Sequence, residues 1–265
     1  MTQTEPAPAV PALMTPEFLL ADWQGHRRLT RRVIEAFPDD QLFTFTAAPP
    51  MRTFGELAWE MHGVAAYSFY LCDGGEVVAA GKTVPLFWDG TVESLPAGWD
   101  AALERSVQDH LAGRAPNTLC ALGAMVSSRR QGRGLSSQVL QSMRALAGDH
   151  HLRALIAPVR PTRKAEYPLI PMSRYASWRR ADGLPFDPWL RTHERVGGRC
   201  WGVAEASMTV TGTVREWESW AGMPFPDTGE YVVPGALCPV TISLDRDEGR
   251  YVEPNVWMVH KLTTQ

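Results

Sequence analysis

The amino-acid sequence predicts an α/β (α+β) fold in which a mixed sheet is flanked by helices. The first indication is a hairpin, because two β-rich stretches at 67–72 and 76–87 flank the tight-turn sequence Asp73-Gly74-Gly75. The second is a strand, a glycine-containing loop, a helix and another strand between 118 and 159, which together make one βαβ crossover. The third is the strand-rich sequence of the C-terminal end.

The N-terminal part of the chain predicts a tail followed by three elements. Residues 1–15 mix Pro, Ala and Thr with almost no charge, so they cannot bury enough apolar surface to offset their ordering entropy, and we expect disorder. Apolar spacing predicts an amphipathic helix over 16–37, alternation predicts a strand at Gln41–Thr46, and a capping box predicts a helix over 53–63. We expect the helical segment 16–65 to pack on a main domain at 66–265.

Helices and strands alternate along the main domain. A helix is expected at about 95–113, before the crossover strands Thr118–Val126 and Leu152–Val159. The helix between these strands is expected to end near Ala147. Beyond the crossover the sequence predicts a helical stretch near 171–181, a proline-rich segment, and strands in MTVTGTV, YVVPGALCPVTISL and YVEPNVWMVHKL.

Composition and charge exclude several classes of protein. The 26 Lys and Arg residues nearly balance the 29 Asp and Glu residues, and a formal net charge of -3 provides no field to hold DNA. The longest near-continuous apolar stretch, GVAAYSFYLC at 63–72, is far shorter than the roughly 20 residues that span a bilayer. The four cysteines are scattered without a C-x-x-C pair, which is typical of reduced thiols. We therefore expect a cytoplasmic protein that binds neither nucleic acid nor a membrane.

The segment from Val126 to Ser136, VSSRRQGRGLS, carries the most specific chemical signal. An apolar strand here leads into a glycine-containing loop that immediately opens a helix. Glycines allow the main chain to approach an anion, free N–H groups at a helix N-terminus point at it, and arginines add bidentate donors. The segment is therefore predicted to bind phosphate groups.

Two common nucleotide-binding motifs do not fit this segment. A P-loop requires G-x-x-x-x-G-K-[ST], and no Lys-Ser or Lys-Thr follows these glycines. The dinucleotide fingerprint requires G-x-G-x-x-G, and Leu135, Ser136 and Ser137 occupy the place of its third glycine. The segment is therefore expected to bind phosphate through a motif other than these two.

The remaining pattern, Arg/Gln-x-x-Gly-x-Gly/Ala after a central strand, is met by Arg129, Gly132 and Gly134, and through it the chain resembles the GNAT acyltransferase superfamily. The resemblance covers about 66–265 and implies a mixed, mostly antiparallel central sheet flanked by helices, with an extended strand-rich C-terminal region. The order of elements agrees, with Gln41–Thr46 in the place of the first strand. In that family the segment cradles the pyrophosphate of acyl-coenzyme A.

The resemblance implies that an amine of a small-molecule or peptide acceptor attacks the thioester of acetyl-CoA, or of another short acyl-CoA, directly in a ternary complex. Main-chain groups near Met125 and Val126 would hold the pantetheine arm and polarise the carbonyl. The implied cofactor-binding residues are Met125, Val126, Arg129, Arg130, Gln131, Gly132, Arg133, Gly134, Leu135 and Ser136.

Two residues are candidates for catalysis. In the GNAT family a tyrosine early in the helix after the fifth strand often protonates the departing thiolate, and Tyr175 in PMSRYASW fits that position. A tyrosine that packs in the core is the alternative interpretation of Tyr175. Glu253 in YVEPNVW is the candidate base, with Glu93 and Asp89 as further carboxylates.

The segment 16–67 resembles the first two helices of DinB-type four-helix bundles through PEFLLADWQGHRRL and MRTFGELAWEMHGVAAY. Those proteins bind a metal through three histidines. Here Glu60 stands where the second helix usually offers its ligand, His62 lies two residues on, and no later H-x-x-x-H pair completes a triad. We therefore expect no metal site.

Three other functions remain as alternatives to acyl transfer. The chain could be a non-catalytic acyl-CoA-binding or interaction protein, if the N-terminal segment reshapes the acceptor groove. A DinB-type metal-dependent thiol transferase would require His26, Glu60 and His62 to converge on one ion. A cysteine nucleophile ranks last among the alternatives, because Cys120 lies inside a predicted strand and has no flanking motif.

Overall fold

The computed structural model describes residues 67–73 and 76–262, which form an eight-stranded sheet with helices packed against it. The strands are β1 (Tyr67–Asp73), β2 (Glu76–Leu86), β3 (Thr118–Val126), β4 (Ala154–Val159), β5 (Arg199–Gly212), β6 (Gly229–Tyr231), β7 (Val240–Ser243) and β8 (Glu248–Lys261). The helices are α1 (Trp99–Leu111), α2 (Leu135–Asp149), α3 (Met172–Ala176), α4 (Pro188–Arg195) and α5 (Val214–Ala221). The predicted tail at 1–15, helices at 16–37 and 53–63 and strand at Gln41–Thr46 lie outside the described residues.

The sheet has the order β1-β2-β3-β4-β8-β7-β6, and β5 pairs with the other edge of β8. Neighbouring strands are antiparallel except for β3 and β4. This confirms the predicted mixed, mostly antiparallel sheet. On one edge, β8 pairs with β4 over Val256–Lys261 and with β7 over Glu248–Arg250. The stretch Tyr251–Asn255 between them has no strand partner on that edge among the described residues.

The sheet splits into a wedge where β3 and β4 part. These two strands pair only over Thr118–Cys120 and Ala154–Ile156. Beyond that point β3 remains paired with β2 as far as Val126, whereas β4 remains paired with β8 as far as Val159. The register of β2 and β3 also shifts at Leu122, which bulges out of the ladder. The wedge therefore exposes main-chain groups in the middle of the sheet.

Helices cover both faces of the sheet beside this wedge. On one face α2 buries Leu140 and Met143 against Leu155 of β4. On the other face Ala102 of α1 packs near Ile156, the next residue of the same strand. Because successive strand residues face opposite sides, β4 is buried on both faces, which explains its continuous apolar sequence.

The prediction was wrong about the region after the crossover. The helical stretch expected near 171–181 contains only the five-residue α3, and α4 lies in the segment expected to be an irregular proline-rich stretch. Proline at the first helical position is favourable, and Asp187 before it accepts hydrogen bonds from the main-chain N–H groups of Trp189 and Leu190. The sequence Asp-Pro therefore starts a helix here.

Candidate functional site

A cavity of about 820 Å³ extends through the wedge from the loop before α2 to the unpaired edge of β8. Side chains of α2 and α4 line it on one face of the sheet, and Trp99 of α1 lines it on the other. The residues that line the cavity after β3 are Gln131, Gly132 and Ser136, and those that line it beside β4 and β8 are Arg160, Glu253 and Asn255; these two groups are called the two ends of the cavity. It therefore connects the predicted phosphate-binding loop with the candidate base.

The loop before α2 presents its main chain to the cavity. After a 3₁₀ turn at Ser128–Arg130, Gly132 and Gly134 adopt φ angles of 78° and 79°. Residues other than glycine are strained in this left-handed region, because they carry a Cβ atom. From Gln131 to Ser136 the main-chain N–H groups have no hydrogen-bond acceptor among the described residues. The loop thus offers consecutive donors at the positive end of the α2 dipole.

Arginine side chains add positive charge around these donors. Arg129 and Arg133 are exposed, and Arg130 forms an ion pair with Asp73 of β1 at 3.1 Å. The predicted cofactor-binding residues all lie in one continuous stretch from the end of β3 to the first turn of α2. Within that stretch Met125 is 50% exposed on the wedge edge of the cavity.

Trp99 lines part of the wedge, a role that no sequence pattern predicted. Its indole Nε1 donates a hydrogen bond to the carbonyl oxygen of the bulged residue Leu122 at 2.8 Å. Its main-chain N–H donates to Ser207 Oγ at 2.9 Å. A Cβ on Gly98 would lie 2.0 Å from the Cα of Ser207, so only glycine allows this close approach. The start of α1 is therefore fixed against β5.

Glu253 lies in the wall of the cavity on the unpaired edge of β8, and its side chain is 3% exposed. Its carboxylate accepts hydrogen bonds from Arg160 Nε at 2.9 Å, from the Tyr251 hydroxyl at 2.8 Å and from Asn255 Nδ2 at 3.1 Å. Burial raises the pKa of Tyr251, so this hydroxyl remains a donor at neutral pH. Arg160 also donates to the carbonyl oxygen of Gly235 at 2.6 Å. The carboxylate is thus oriented by three donors.

Tyr175 lies in a different environment. It is 1% exposed, is not among the residues that line the cavity, and its hydroxyl donates to Asp187 Oδ2 at 2.8 Å. Its ring packs in an aromatic cluster with Tyr167, Trp178 and Phe186. Burial raises the pKa of this hydroxyl. The structure therefore does not bring the two candidate catalytic residues together.

The other candidate groups also lie away from the cavity lining. The exposed carboxylate of Asp89 is hydrogen-bonded within its own turn, and the Ser94 hydroxyl contributes most to lowering its pKa. Glu93 is exposed on the same turn. Cys120 is fully buried in β3, and burial raises the pKa of its thiol, which is the opposite of what a nucleophile requires.

A buried histidine pair, which the sequence did not reveal, completes the cavity wall. His193 of α4 lines the cavity, is 1% exposed, and has its Nδ1 atom 3.0 Å from Nε2 of His260. Nε2 of His193 has no hydrogen-bond partner among the described residues, whereas the His260 ring also interacts with the main chain of Val196. Burial, and then the neighbouring ring, holds the pKa of His193 well below its ordinary value, and burial lowers the pKa of His260 to about 4.

Comparison with known proteins identifies the family. The chain is 37% identical to the arginine N-acetyltransferase avaD of Aspergillus versicolor over 207 residues, which cover 70% of this chain and 71% of that protein. The chain belongs to the GNAT superfamily of N-acetyltransferases. No family model matches it.

Solved structures that resemble this GNAT chain have low sequence identity. The loading GNATL domain of CurA from Lyngbya majuscula has a TM-score of 0.46 at 14% identity, over 88% of this chain and 93% of that one. A GphF GNAT-like decarboxylase in complex with isobutyryl-CoA has a TM-score of 0.43 at 16% identity, over 84% and 92%. A phosphinothricin acetyltransferase from Sinorhizobium meliloti in complex with AcCoA has a TM-score of 0.36 at 11% identity, over 91% and 84%.

The GNAT chain is therefore an N-acetyltransferase. The comparisons do not support the resemblance of the N-terminal segment to DinB-type proteins, and 16–66 lies outside the described residues. Within 67–73 and 76–262, no helix is long and apolar enough to cross a membrane. Over the same residues, no group of three or more His, Cys, Asp or Glu side chains is placed to hold a metal ion.

Proposed function

We propose that this N-acetyltransferase moves an acetyl or other short acyl group from acyl-CoA to an amine of a small cationic acceptor, by direct attack in a ternary complex. The observation that carries the proposal is the cavity itself. One end is a main-chain anion cradle, and the other end is a buried, oriented carboxylate at Glu253. A polyanionic donor and a cationic acceptor would thus occupy the two ends of one cavity.

The cradle suits the pyrophosphate of coenzyme A. Its donors are the N–H groups from Gln131 to Ser136, and the arginines at 129 and 133 supply charge. The pantetheine arm would then extend along the free edge of β3 near Met125 and Val126, where the parting strands leave main-chain groups without a ladder partner. An extended arm with amide groups can pair with such an edge in the way an added strand does.

The opposite end suits an acceptor such as arginine, by analogy with the related arginine N-acetyltransferase. Glu253 would bind the cationic group of the acceptor and take the proton of the attacking amine. The Tyr251 hydroxyl and the Asn255 amide would hold the carboxylate in place. The amine nitrogen attacks the thioester carbonyl carbon, and the carbon–sulfur bond then breaks with its electron pair going to sulfur.

The role expected for Tyr175 stays a prediction. Its bond to Asp187 and its place in the aromatic cluster support the alternative role in packing. Asp187 itself caps α4, so the bond links Tyr175 to the start of the helix that carries His193.

The test uses the full chain in two measurements. Calorimetric titration with coenzyme A should give saturable binding, and incubation with acetyl-CoA and arginine should release free thiol at a rate that depends on both substrates. A panel of other amines, including agmatine and lysine, defines the acceptor. Coenzyme A binding without thiol release on any amine would support the non-catalytic alternative. Absence of binding would overturn the acyl-CoA proposal.

A further inference from the structure

Two charged side chains line the cavity at the end that lies beside β4 and β8. Among the described residues that line the cavity, Arg160 and Glu253 are the ones that carry a full charge, because burial and the neighbouring ring hold the pKa of His193 well below its ordinary value. The two side chains are in direct contact, with Arg160 Nε 2.9 Å from Glu253 Oε2. This end therefore presents one positive and one negative charge side by side.

The two members of this pair differ in exposure. The Glu253 side chain is buried, whereas the Arg160 side chain is 48% exposed. Arg160 is the first residue after β4, and Pro161 behind it restricts its main chain to extended conformations. Because Arg160 also lines the cavity, a ligand that occupies this end can reach its guanidinium group.

Two internal hydrogen bonds orient the Arg160 guanidinium and leave part of it unused. Nε donates to Glu253, and Nη2 donates to the carbonyl oxygen of Gly235 at 2.6 Å. These two atoms form the side edge of the planar group, and Nη1 has no hydrogen-bond partner among the described residues. The end edge, which consists of Nη1 and the second N–H of Nη2, is thus held in place with its donors available. Its geometry matches the two oxygens of a carboxylate.

Glu253 also retains an acceptor position. A carboxylate offers about four lone-pair positions, and the donors from Arg160, Tyr251 and Asn255 use three of them. Among the described residues, Oε1 accepts one hydrogen bond, that of Asn255. The same oxygen can therefore accept a hydrogen bond from an ammonium group beside Arg160.

We infer that the acceptor is an α-amino acid, whose carboxylate binds the end edge of Arg160 while its α-ammonium group binds Glu253. One carbon atom separates these two groups in an α-amino acid, which suits two protein charges in direct contact. Arg160 is then a specificity-determining residue, and the α-amine is the group that is acylated. This inference rests on the proposed function, because it requires acyl-CoA at the other end of the cavity. It narrows the acceptor from a small cationic amine to an amine that carries a carboxylate.

The transfer step balances with these groups. The α-ammonium group gives one proton to Glu253, which releases it to solvent, and the freed nitrogen forms a bond to the thioester carbonyl carbon. The carbon–sulfur bond breaks with its electron pair going to sulfur, and the surplus proton of the nitrogen passes to the thiolate. Arg160 forms and breaks no covalent bond, so its contribution is to bind and orient the acceptor.

The wild-type chain tests the inference with three acceptors that share one side chain. Arginine carries the carboxylate, argininamide replaces it with a neutral amide, and agmatine lacks it. Thiol release at saturating acetyl-CoA gives kcat/KM for each acceptor. We expect the value for arginine to exceed the other two by roughly 10- to 100-fold, because the analogues lose the charge-assisted hydrogen bonds. Argininamide has the more readily deprotonated amine, so amine reactivity alone would favour it over arginine. Fragmentation of the product in a mass spectrometer should locate the acetyl group on the α-nitrogen.

Arg160→Gln separates carboxylate binding from support of Glu253. Loss of support would lower kcat/KM for every acceptor by the same factor and leave their ratio unchanged. Loss of carboxylate binding lowers the value for arginine further, so the ratio of arginine to argininamide should fall to about one. Coenzyme A affinity, measured by calorimetry, should remain near wild type. Arg180→Gln is the matched control, because the Arg180 side chain is 49% exposed, pairs with Asp182 and does not line the cavity.

Equal kcat/KM for the three acceptors in the wild-type chain, or an acetyl group on the guanidino nitrogen, would overturn the inference and leave the proposed function standing. A preferred acceptor that lacks a carboxylate would do the same. An unchanged ratio in Arg160→Gln would reduce Arg160 to a support for Glu253, and a large loss of coenzyme A affinity would assign it to the donor; both results contradict the inference. Absence of thiol release with every amine would overturn the proposed function as well. The wild-type comparison is decisive even if the variant does not fold.

Discussion

The two ends of the cavity achieve recognition in different ways. The anion cradle is built from consecutive residues of one loop and uses main-chain N–H groups, so its chemistry depends on the φ angles of Gly132 and Gly134. The Glu253 end is built from side chains: Tyr251 and Asn255 lie two residues from Glu253, whereas Arg160 lies 93 positions away. The main-chain cradle is therefore encoded completely by a local sequence motif, whereas the local sequence encodes only part of the Glu253 end and the fold supplies Arg160.

The largest effect is expected from Gly132→Asp, which places a side chain and a negative charge in the cradle. We expect coenzyme A affinity to fall by more than about 10²-fold, because the carboxylate repels the pyrophosphate at close range. The matched control is Gly183→Asp, since Gly183 has a φ of 77°, has no atom within 4 Å of its Cβ position and does not line the cavity. Calorimetric titration of both variants checks this. Equal loss in both would show that backbone strain, and not the cradle, was responsible.

Substitution of the opposite end should affect turnover more than donor binding. Glu253→Gln keeps the shape of the side chain and removes its charge, so thiol release with the acceptor should fall roughly 10²-fold or more. Coenzyme A affinity should remain within about threefold of wild type. Glu166→Gln is the control, because Glu166 pairs with Arg163 on the surface at 2.6 Å. A Glu253 variant that kept wild-type turnover would remove the carboxylate from the mechanism.

A smaller effect concerns stability and the histidine pair. The folded-state pKa values of His193 and His260 lie below the ordinary value near 6.5. As the pH falls, both histidines are therefore protonated in the unfolded chain at a higher pH than in the folded chain. The free energy of unfolding should therefore decrease between about pH 7 and pH 5, by about 2 kcal/mol for each histidine that stays neutral. Urea unfolding at several pH values measures this. In His260→Phe the dependence should be weaker, and an unchanged slope would contradict the assignment.

The smallest effect distinguishes two tyrosines with similar surroundings. Tyr175 and Tyr251 are both buried and both donate to a carboxylate, but only the partner of Tyr251, Glu253, lines the cavity. Each Tyr→Phe change should reduce stability by about 1 kcal/mol. Thiol release per folded molecule should fall only in Tyr251→Phe. A roughly 10²-fold loss of thiol release in Tyr175→Phe, with a normal melting curve, would instead establish Tyr175 as the proton donor that the resemblance implies.

The sequence by itself determined the features that depend on local geometry. The strand Thr118–Val126 was predicted with the bounds that the structure has, because an apolar run bordered by turn residues is read locally. The loop that follows was predicted to open a helix at once, because glycine-rich turns and helix starts are set by φ angles over a few residues. The hairpin and the crossover followed from the same short-range signals.

Only the tertiary structure decided which distant groups meet. The wedge arises because β3 and β4 stop pairing with each other beyond Cys120 while each keeps its other neighbour, and no local sequence pattern encodes that change. Tertiary packing also placed His193 beside His260 and brought Arg160 to Glu253, whereas the Tyr175 hydroxyl donates to Asp187 and does not line the cavity. Strand pairing and burial act between residues that are remote in sequence, so the chemistry at this end of the site is a property of the folded sheet.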